Sequence, residues 1–275
     1  LKDMVSRGYI GRRKHPRLDL YLYCYTHKAQ FDRMWNDATM TCRGLVVDGD
    51  GMVVARPFPK FFNYNEVDAG DLDLDAPAVV YDKLDGSLII GFSYRGEEIF
   101  ATKGSFISDQ AAWAAEFFDK NIKPVGYSLM EGPTYLFEAI YPGNQIVLDY
   151  KGRESLVLLG ALDGKYFFRD SEYPGEKVEV LAAKTLREAL EMPPRPNAEG
   201  LVVYFPIAGN RVKVKQEDYV KMHRIIFGLN ERVVWEKVVE NFNNQGLTDS
   251  LSPWIKELPE EFHPWVRRVA ARLEE

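Results

Sequence analysis

The run Tyr81-Asp82-Lys83-Leu84-Asp85-Gly86-Ser87 sets a lysine where it could act as a covalent nucleophile. The lysine enters on a strand and leaves through a glycine turn into Leu88-Ile89-Ile90-Gly91-Phe92. In an extended segment alternate residues share a face, so Tyr81, Lys83 and Asp85 point one way while Gly86 lets the backbone turn beside them. That arrangement predicts an amine next to a carboxylate at a backbone opening. With an ordinary pKa near 10.4 the amine is protonated at neutral pH, and freeing its lone pair costs roughly 4 kcal/mol. Burial or neighbouring cations must reduce that cost. By itself the motif also describes a strand ending in an Asp-Gly turn with a solvated lysine. The weight therefore falls on the residues that accompany it.

Three further groups carry chemistry. Glu138 interrupts the strongly apolar strand Thr134-Tyr135-Leu136-Phe137-Glu138-Ala139-Ile140-Tyr141, and burying a carboxylate there is costly unless it has a partner. Arg211-Val212-Lys213-Val214-Lys215 alternates, placing Lys213 and Lys215 on one face: an exposed edge, or paired contacts to an anion. Arg56-Pro57-Phe58-Pro59-Lys60-Phe61-Phe62-Asn63-Tyr64-Asn65-Glu66 is dense in aromatics and bracketed by cations, which a purely structural aromatic cluster does not explain.

The elements that must position these groups are mostly strands. Leu20–Tyr25 alternates; residues 41–48 and 52–56 flank Gly49-Asp50-Gly51 as a hairpin. Residues 99–105 form the returning arm of another hairpin, residues 156–162 a buried strand, and residues 199–205 a strand delivered by the loop through Pro193, Pro194 and Pro196. Helices are expected from Ser108 to Asn121, with Ser108 or Asp109 as cap, and from Thr185 to Glu191. From Asp218 the apolar period becomes helical: Tyr219, Met222, His223, Ile226 and Phe227 form one stripe, Val233, Val234, Lys237, Val238 and Phe242 a second, and Trp265, Val266, Val269 and Leu273 a third. A boundary is placed near 218, giving units 1–218 and 219–275.

The chain of 275 residues has 46% hydrophobic and 28% charged residues and no run near the roughly 20 apolar residues of a membrane span, so a globular, non-membrane protein is expected. No signal peptide is visible at Leu1-Lys2-Asp3-Met4; the opening on Leu1 is compatible with a lost initiator methionine or with a fragment. Two cysteines, Cys24 and Cys42, fit a reducing cytoplasm. A net charge of −6 argues against bulk electrostatic binding of nucleic acid. Any such contact must be local, and one cluster offers it: Arg7, Arg12, Arg13, Lys14, His15 and Arg17, interleaved with Tyr9, Tyr21, Tyr23 and Tyr25. The same residues read equally as a solvated basic loop before a tyrosine-rich strand.

In order along the chain, Lys83-x-Asp85-Gly86, Leu136-Phe137-Glu138, Glu199-Gly200-Leu201-Val202 and Lys213-Val214-Lys215 resemble the motifs of the covalent nucleotidyltransferases, the superfamily of polynucleotide ligases and messenger-RNA capping enzymes. Within it the chain resembles the phage T4 RNA ligase 1 family, through Cys42-Arg43-Gly44, Arg56-Pro57, Lys60-Phe61-Phe62-Asn63 and Glu66, Lys103-Gly104-Ser105, Asn144 to Tyr150, and Tyr219-Val220. The likeness covers roughly residues 20 to 223.

That resemblance implies an α+β fold: an antiparallel-sheet adenylation domain with the nucleotide between sheets, followed here by a small all-helical C-terminal domain in place of the OB-fold barrel of DNA ligases and capping enzymes. It implies an ATP-dependent RNA ligase, encoded by a phage or virus or otherwise cytoplasmic, acting as a monomer in RNA repair on 5′-phosphate and 3′-hydroxyl ends. Lys83 would attack the α-phosphorus of ATP, AMP would pass to the RNA 5′-phosphate, and the 3′-hydroxyl would displace it. Lys213 and Lys215 would neutralise the phosphate, and their field would favour neutral Lys83. Glu199 would hold Mg2+ or Mn2+. Glu138 would hold the ribose; Arg43, Lys60 and Lys103 would reach ribose or the leaving phosphates; Phe62, Asp82, Asp85, Gly86 and Tyr219 would complete the nucleotide site. The family's founding member has a longer helical C-terminal domain, which leaves the RNA substrate open. A capping-type guanylyltransferase and a catalytically inactive RNA- or nucleotide-binding module are the alternatives.

Overall fold

The computed structural model describes residues 1–64, 66, 72–220, 222, 231–240, 266 and 269. Its first elements are α1 (Lys2–Ser6), β1 (Ile10–Lys14), β2 (Leu20–Tyr25), α2 (His27–Phe31), α3 (Asp37–Thr41), β3 (Arg43–Asp48) and β4 (Val53–Ala55). Then come β5 (Val79–Lys83), β6 (Ser87–Tyr94), β7 (Glu97–Ala101), α4 (Asp109–Phe117), β8 (Thr134–Ile140), β9 (Ser155–Asp163) and β10 (Tyr166–Phe168). The sequence continues through α5 (Leu186–Glu191), β11 (Gly200–Phe205) and β12 (Asn210–Lys215). These strands form three sheets, ordered β1-β2-β3-β4, β10-β9-β8-β6-β7 and β12-β11-β5, and every pairing between named strands is antiparallel.

The expected strand at Leu20–Tyr25 is present with those limits, and its alternation is explained by Leu20 and Leu22 being fully buried. Asp48 Oδ1 accepts from the amides of Asp50 and Met52 and closes the β3–β4 hairpin. Ser108 caps α4 and Thr185 caps α5, each hydroxyl accepting from an amide three residues on. The helix expected to reach Asn121 ends as α-helix at Phe117 and continues as a wider π-turn over Phe118–Ile122. The basic segment ahead of β2 is not a loop: Arg12, Arg13 and Lys14 sit on β1, an edge strand, with the Arg12 guanidinium 3.9 Å from the centroid of Tyr21. His15 closes the next turn, its Nδ1 accepting from the amides of Arg17 and Leu18.

The cores explain the layering. One face of β6, β8 and β9 packs Ile89, Phe137 and Leu158 against Ala114 and Phe118 of the α4 region. The opposite face packs Ile90, Phe92 and Leu136 against Leu20, Leu22 and Val46 of the first sheet. A third core joins Val80, Val203 and Val212 to Leu186 of α5. Tyr81, Ile140, Val157 and Val178 bridge the second and third sheets.

The glycine turn after Lys83 is a crossing between sheets rather than a hairpin. β5 ends at Lys83 and pairs with β11, whereas β6 begins at Ser87 and pairs with β8. A Cβ on Gly86 would come 2.4 Å from the Ala139 carbonyl oxygen, so the close approach of the two sheets is what requires glycine. Gly200 is required twice over, with φ +152° and a would-be Cβ 2.1 Å from the Val214 oxygen.

Beyond β12, residues 217–220 and 222 are helical, as are Glu231–Glu240, Val266 and Val269. His223, Ile226, Phe227, Phe242, Trp265 and Leu273 of the expected stripes lie outside the described residues, as does Asn65. No described helix is long and apolar enough to cross a membrane.

Candidate active site

Between the second and third sheets lies a cavity of about 620 Å³, and Lys83 opens onto it together with Arg43, Lys103, Glu138 and Lys213. Register explains the convergence. Gly200 stands between Lys215 and Lys83 across the third sheet, and Val202 between Lys213 and Tyr81, so the two lysines of β12 and the lysine of β5 emerge on one face. From the facing sheet, Leu136, Glu138 and Ile140 share the side of β8 opposite Phe137, and Glu138 reaches the cavity.

Lys83 Nζ donates to Glu199 Oε2 at 2.6 Å, and Lys215 Nζ lies 3.0 Å from Glu199 Oε1. Glu199 is thus clamped between two ammonium groups with its side chain only 4% exposed. The carboxylate beside the lysine is therefore Glu199 and not Asp85. Strand alternation ends with β5 at Lys83, and Asp85 turns away into buried surroundings, where its Oδ2 accepts from the amides of Val147 and Leu148 at 2.8 Å each. Its Oδ1 accepts from the Tyr219 hydroxyl at 2.7 Å, and its own amide donates to Tyr150 Oη. Asp85 and Tyr219, both expected at the nucleotide, are joined in a latch beneath the site.

Other expectations separate in the same way. Phe61 lines the cavity, whereas Phe62 packs against Trp35 with Lys60 Nζ 4.2 Å from its ring centroid. Of the adjacent pair, Phe61 is the member that reaches the cavity. Lys60 is near enough for its charge to act on Lys213 but is not part of the wall. Asp82 and Gly86 are part of it; Asp82 Oδ1 accepts from Arg195 Nη2 at 2.6 Å.

The electrostatics are uneven. Glu138 accepts one hydrogen bond, from the Gly86 amide at 3.1 Å. Burial pushes its carboxyl up to about 7, with Lys83 opposing and Glu199 reinforcing the rise. Lys213 has no ion pair among the described residues; burial, then the charges of Lys60, Arg43, Lys83 and Lys215, bring its ammonium down to about 7. Arg43 keeps Nη1 buried without a hydrogen-bond partner among the described residues. The cavity therefore concentrates positive charge that has no ion pair among the described residues, which suits a polyanionic ligand.

Arg195 and Arg211 were not anticipated. Arg195 also donates to the Gly200 carbonyl and is held by Gln216, tying the proline-rich loop to the end of β5. Nothing local in the sequence signals that role. Arg211 does carry a signal, since it extends the Lys213/Lys215 alternation by one step.

The RNA ligase family model of the T4 RNA ligase 1 type matches residues 41–192, more than half of the chain. The chain belongs to this RNA ligase family. It is 26% identical over 256 residues to a protein of Autographa californica nuclear polyhedrosis virus assigned as a bifunctional polynucleotide kinase/RNA ligase, covering 82% of this chain and 36% of that one. It is 24% identical over 186 residues to an RNA ligase of Rhodothermus phage RM378, covering 52% of this chain and 41% of the relative. A third relative, assigned as an RNA ligase in Thermovibrio ammonificans, is 29% identical over 193 residues, with coverages of 63% and 50%. The chain thus spans between about a third and a half of the length of these relatives. Among solved structures, an archaeal ATP-dependent RNA ligase aligns with TM-score 0.53 at 15% identity, covering 98% of this chain and 74% of that one. An Aquifex aeolicus protein assigned as an ATP-dependent DNA ligase aligns with TM-score 0.51 at 14% identity, over 99% and 71%. Both show the fold: mixed helices and antiparallel sheets like the nucleotidyltransferase domains of ligases.

Proposed function

We propose that the chain carries the adenylation chemistry of an ATP-dependent RNA ligase, with Lys83 as the nucleophile. The observation that carries this reading is the amine of Lys83, held by Glu199 beside a cavity whose other cations, Arg43, Lys103, Lys213 and Arg211, have no ion pair among the described residues. Lys83 Nζ attacks the α-phosphorus of ATP; a P–N bond forms, the bond to the bridging oxygen breaks, and pyrophosphate leaves. Glu199 Oε2 is the adjacent acceptor for the proton that the amine sheds. An RNA 5′-phosphate oxygen then displaces the lysine from phosphorus, and a 3′-hydroxyl attacks the activated 5′-phosphorus, releasing AMP. Lys213 and Lys215 compensate charge as it develops on phosphate, Lys213 in a buried setting where one preorganised cation is worth most. Arg43 and Lys103, on the same cavity wall, take the ribose or the leaving phosphates.

The donor set suits magnesium, or manganese in its place. No cluster of three metal-ligating side chains occurs among the described residues, and Mg2+ is characteristically held by one or two carboxylates together with water and substrate phosphates. Glu199 would supply the first carboxylate and Glu138 the second. Held there by these carboxylates, such an ion would supply charge neutralisation at the phosphates.

We further assign residues 1–218 to the adenylating unit and 219–275 to a small helical unit in place of an OB-fold, a reading supported by the helical residues described at 219–220, 222, 231–240, 266 and 269. The exposed cations Arg12 and Arg13 on the edge strand β1 are the local RNA contacts available to a chain of net charge −6.

The test is incubation with α-labelled ATP or GTP followed by denaturing gels. Wild type should carry label from ATP that is released as AMP by 5′-phosphate RNA; label from GTP would establish guanylyl transfer. Lys83→Ala should lose labelling and ATP-dependent sealing, yet still seal RNA already bearing a 5′-adenylate, a step that needs no amine. Equal loss on both substrates would mark Lys83 as a binding or structural residue.

A further inference from the structure

The wall of the cavity remote from Lys83 is built differently. Phe58, Leu159, Phe167, Val178 and Val202 make it apolar, and one charged side chain, Arg211, stands among them. The Arg211 guanidinium lies 3.8 Å from the ring centroid of Phe58, 4.1 Å from that of Tyr204 and 4.7 Å from that of Phe167. Its Nη2 is buried with no hydrogen-bond partner among the described residues. Burial lowers its pKa only to about 10, so the group is a cation at neutral pH. A buried guanidinium N–H without an acceptor is costly unless something arrives to supply one.

Register says where it stands. Arg211, Lys213 and Lys215 share one face of β12 and pair in turn with Tyr204, Val202 and Gly200. The Arg211 row is four residues from the Lys83 row, about 13 Å along the strands. This is the scale of a nucleotide laid from its phosphate, at Lys83, toward its base. The phosphate end is cationic and polar; the far end offers flat apolar surfaces and a single orphan donor. That combination selects a planar aromatic ring with an in-plane acceptor.

Resting on the nucleotide reading of the cavity, we propose that Arg211 recognises the base, donating a guanidinium N–H to a ring nitrogen of the purine that stacks against Phe167. The bland alternative is that Arg211 only cements three aromatic rings by cation–π contact. The two differ in one respect: cement does not sense which atoms the base carries.

The experiment measures KM for lysyl-AMP formation with ATP and with 1-deaza-, 3-deaza- and 7-deaza-ATP, each lacking one ring acceptor. In wild type one analogue should raise KM about tenfold or more, the effect of losing one bond to a charged donor. In Arg211→Met, which keeps an apolar stem, KM for ATP should rise by a similar factor and the discrimination among the four nucleotides should vanish. Where Arg211→Met fails to fold, Arg211→Lys serves, since it keeps the charge and loses the planar fork. A wild type that uses all four nucleotides alike, or a variant that still discriminates as wild type does, overturns the assignment while leaving the ligase reading intact. A wild type that forms no labelled protein with any of them overturns the ligase reading, and this inference with it.

Discussion

Asp85 and Lys213 are both charged and largely withdrawn from solvent, yet their surroundings are opposite. Asp85 has an answer for each oxygen, two amides and a phenol, and its residue is 4% exposed. Lys213 has no ion pair among the described residues and faces other cations. A satisfied buried charge stabilises one conformation of the loop that follows Lys83. An unsatisfied one costs stability in the free protein and recovers it when an anion binds. The lower latch therefore holds geometry, and the cavity wall stores affinity.

The most severe way to break this contrast is Lys213→Met. Removing a preorganised cation should slow lysyl-AMP formation roughly 10³-fold, while thermal stability holds or rises because a buried unpaired charge is gone. Activity and stability falling together would place Lys213 with the structural groups.

Asp85→Asn should do the converse. One of its two carboxylate oxygens becomes an NH2 facing donors, at a cost of about 3 kcal/mol, or a Tm lower by roughly 6 to 12 °C. Calorimetry checks it. A variant that keeps its Tm and loses only ATP affinity would return Asp85 to the nucleotide site, where the sequence had suggested it.

The turn of Asp85 away from Lys83 shows how far local pattern reaches. Alternation located β2 to the residue and set Lys213 and Lys215 on one face, because both strands are regular and each has one buried face. The same rule failed at Asp85, one residue beyond the crossing, where the chain leaves one sheet for another and period 2 no longer applies. It also missed β1, a polar edge strand with little apolar alternation, and α1 to α3, five residues each and too short to show a helical stripe. Glu138 was legible because one carboxylate broke an apolar strand. Arg195 was not, because its partner Asp82 is 113 residues away in sequence.

Titration sharpens the comparison at intermediate size. Folded Lys213 titrates near 7 and its unfolded form near 10.5, so between those values the folded state binds fewer protons and stability rises with pH, by at most ~1.4 kcal/mol per unit. Folded Glu138 titrates near 7 and its unfolded form near 4.5, so there the folded state binds more protons and stability falls as pH rises across that interval. Measured against the double variant Lys213→Met/Glu138→Gln, the wild type's relative stability should therefore pass through a minimum near pH 7. Saturating ATP should flatten the alkaline limb, since a bound anion keeps Lys213 charged. A flat difference profile without ligand would mean that the cavity charges are already compensated.

The smallest expected effect lies in the latch. Tyr150 Oη accepts the Asp85 amide at 2.9 Å, a neutral bond in a part-buried setting, and Tyr150→Phe deletes the acceptor while keeping the ring. The loss should be about 1 kcal/mol, because the remaining partners of Asp85 still fix the loop and only one amide is left unanswered. Lysyl-AMP formation measured well below the transition temperature should change by no more than a few-fold. If instead the rate collapses while stability barely moves, the latch positions the nucleophile directly, and the division between holding geometry and storing affinity fails at its narrowest point.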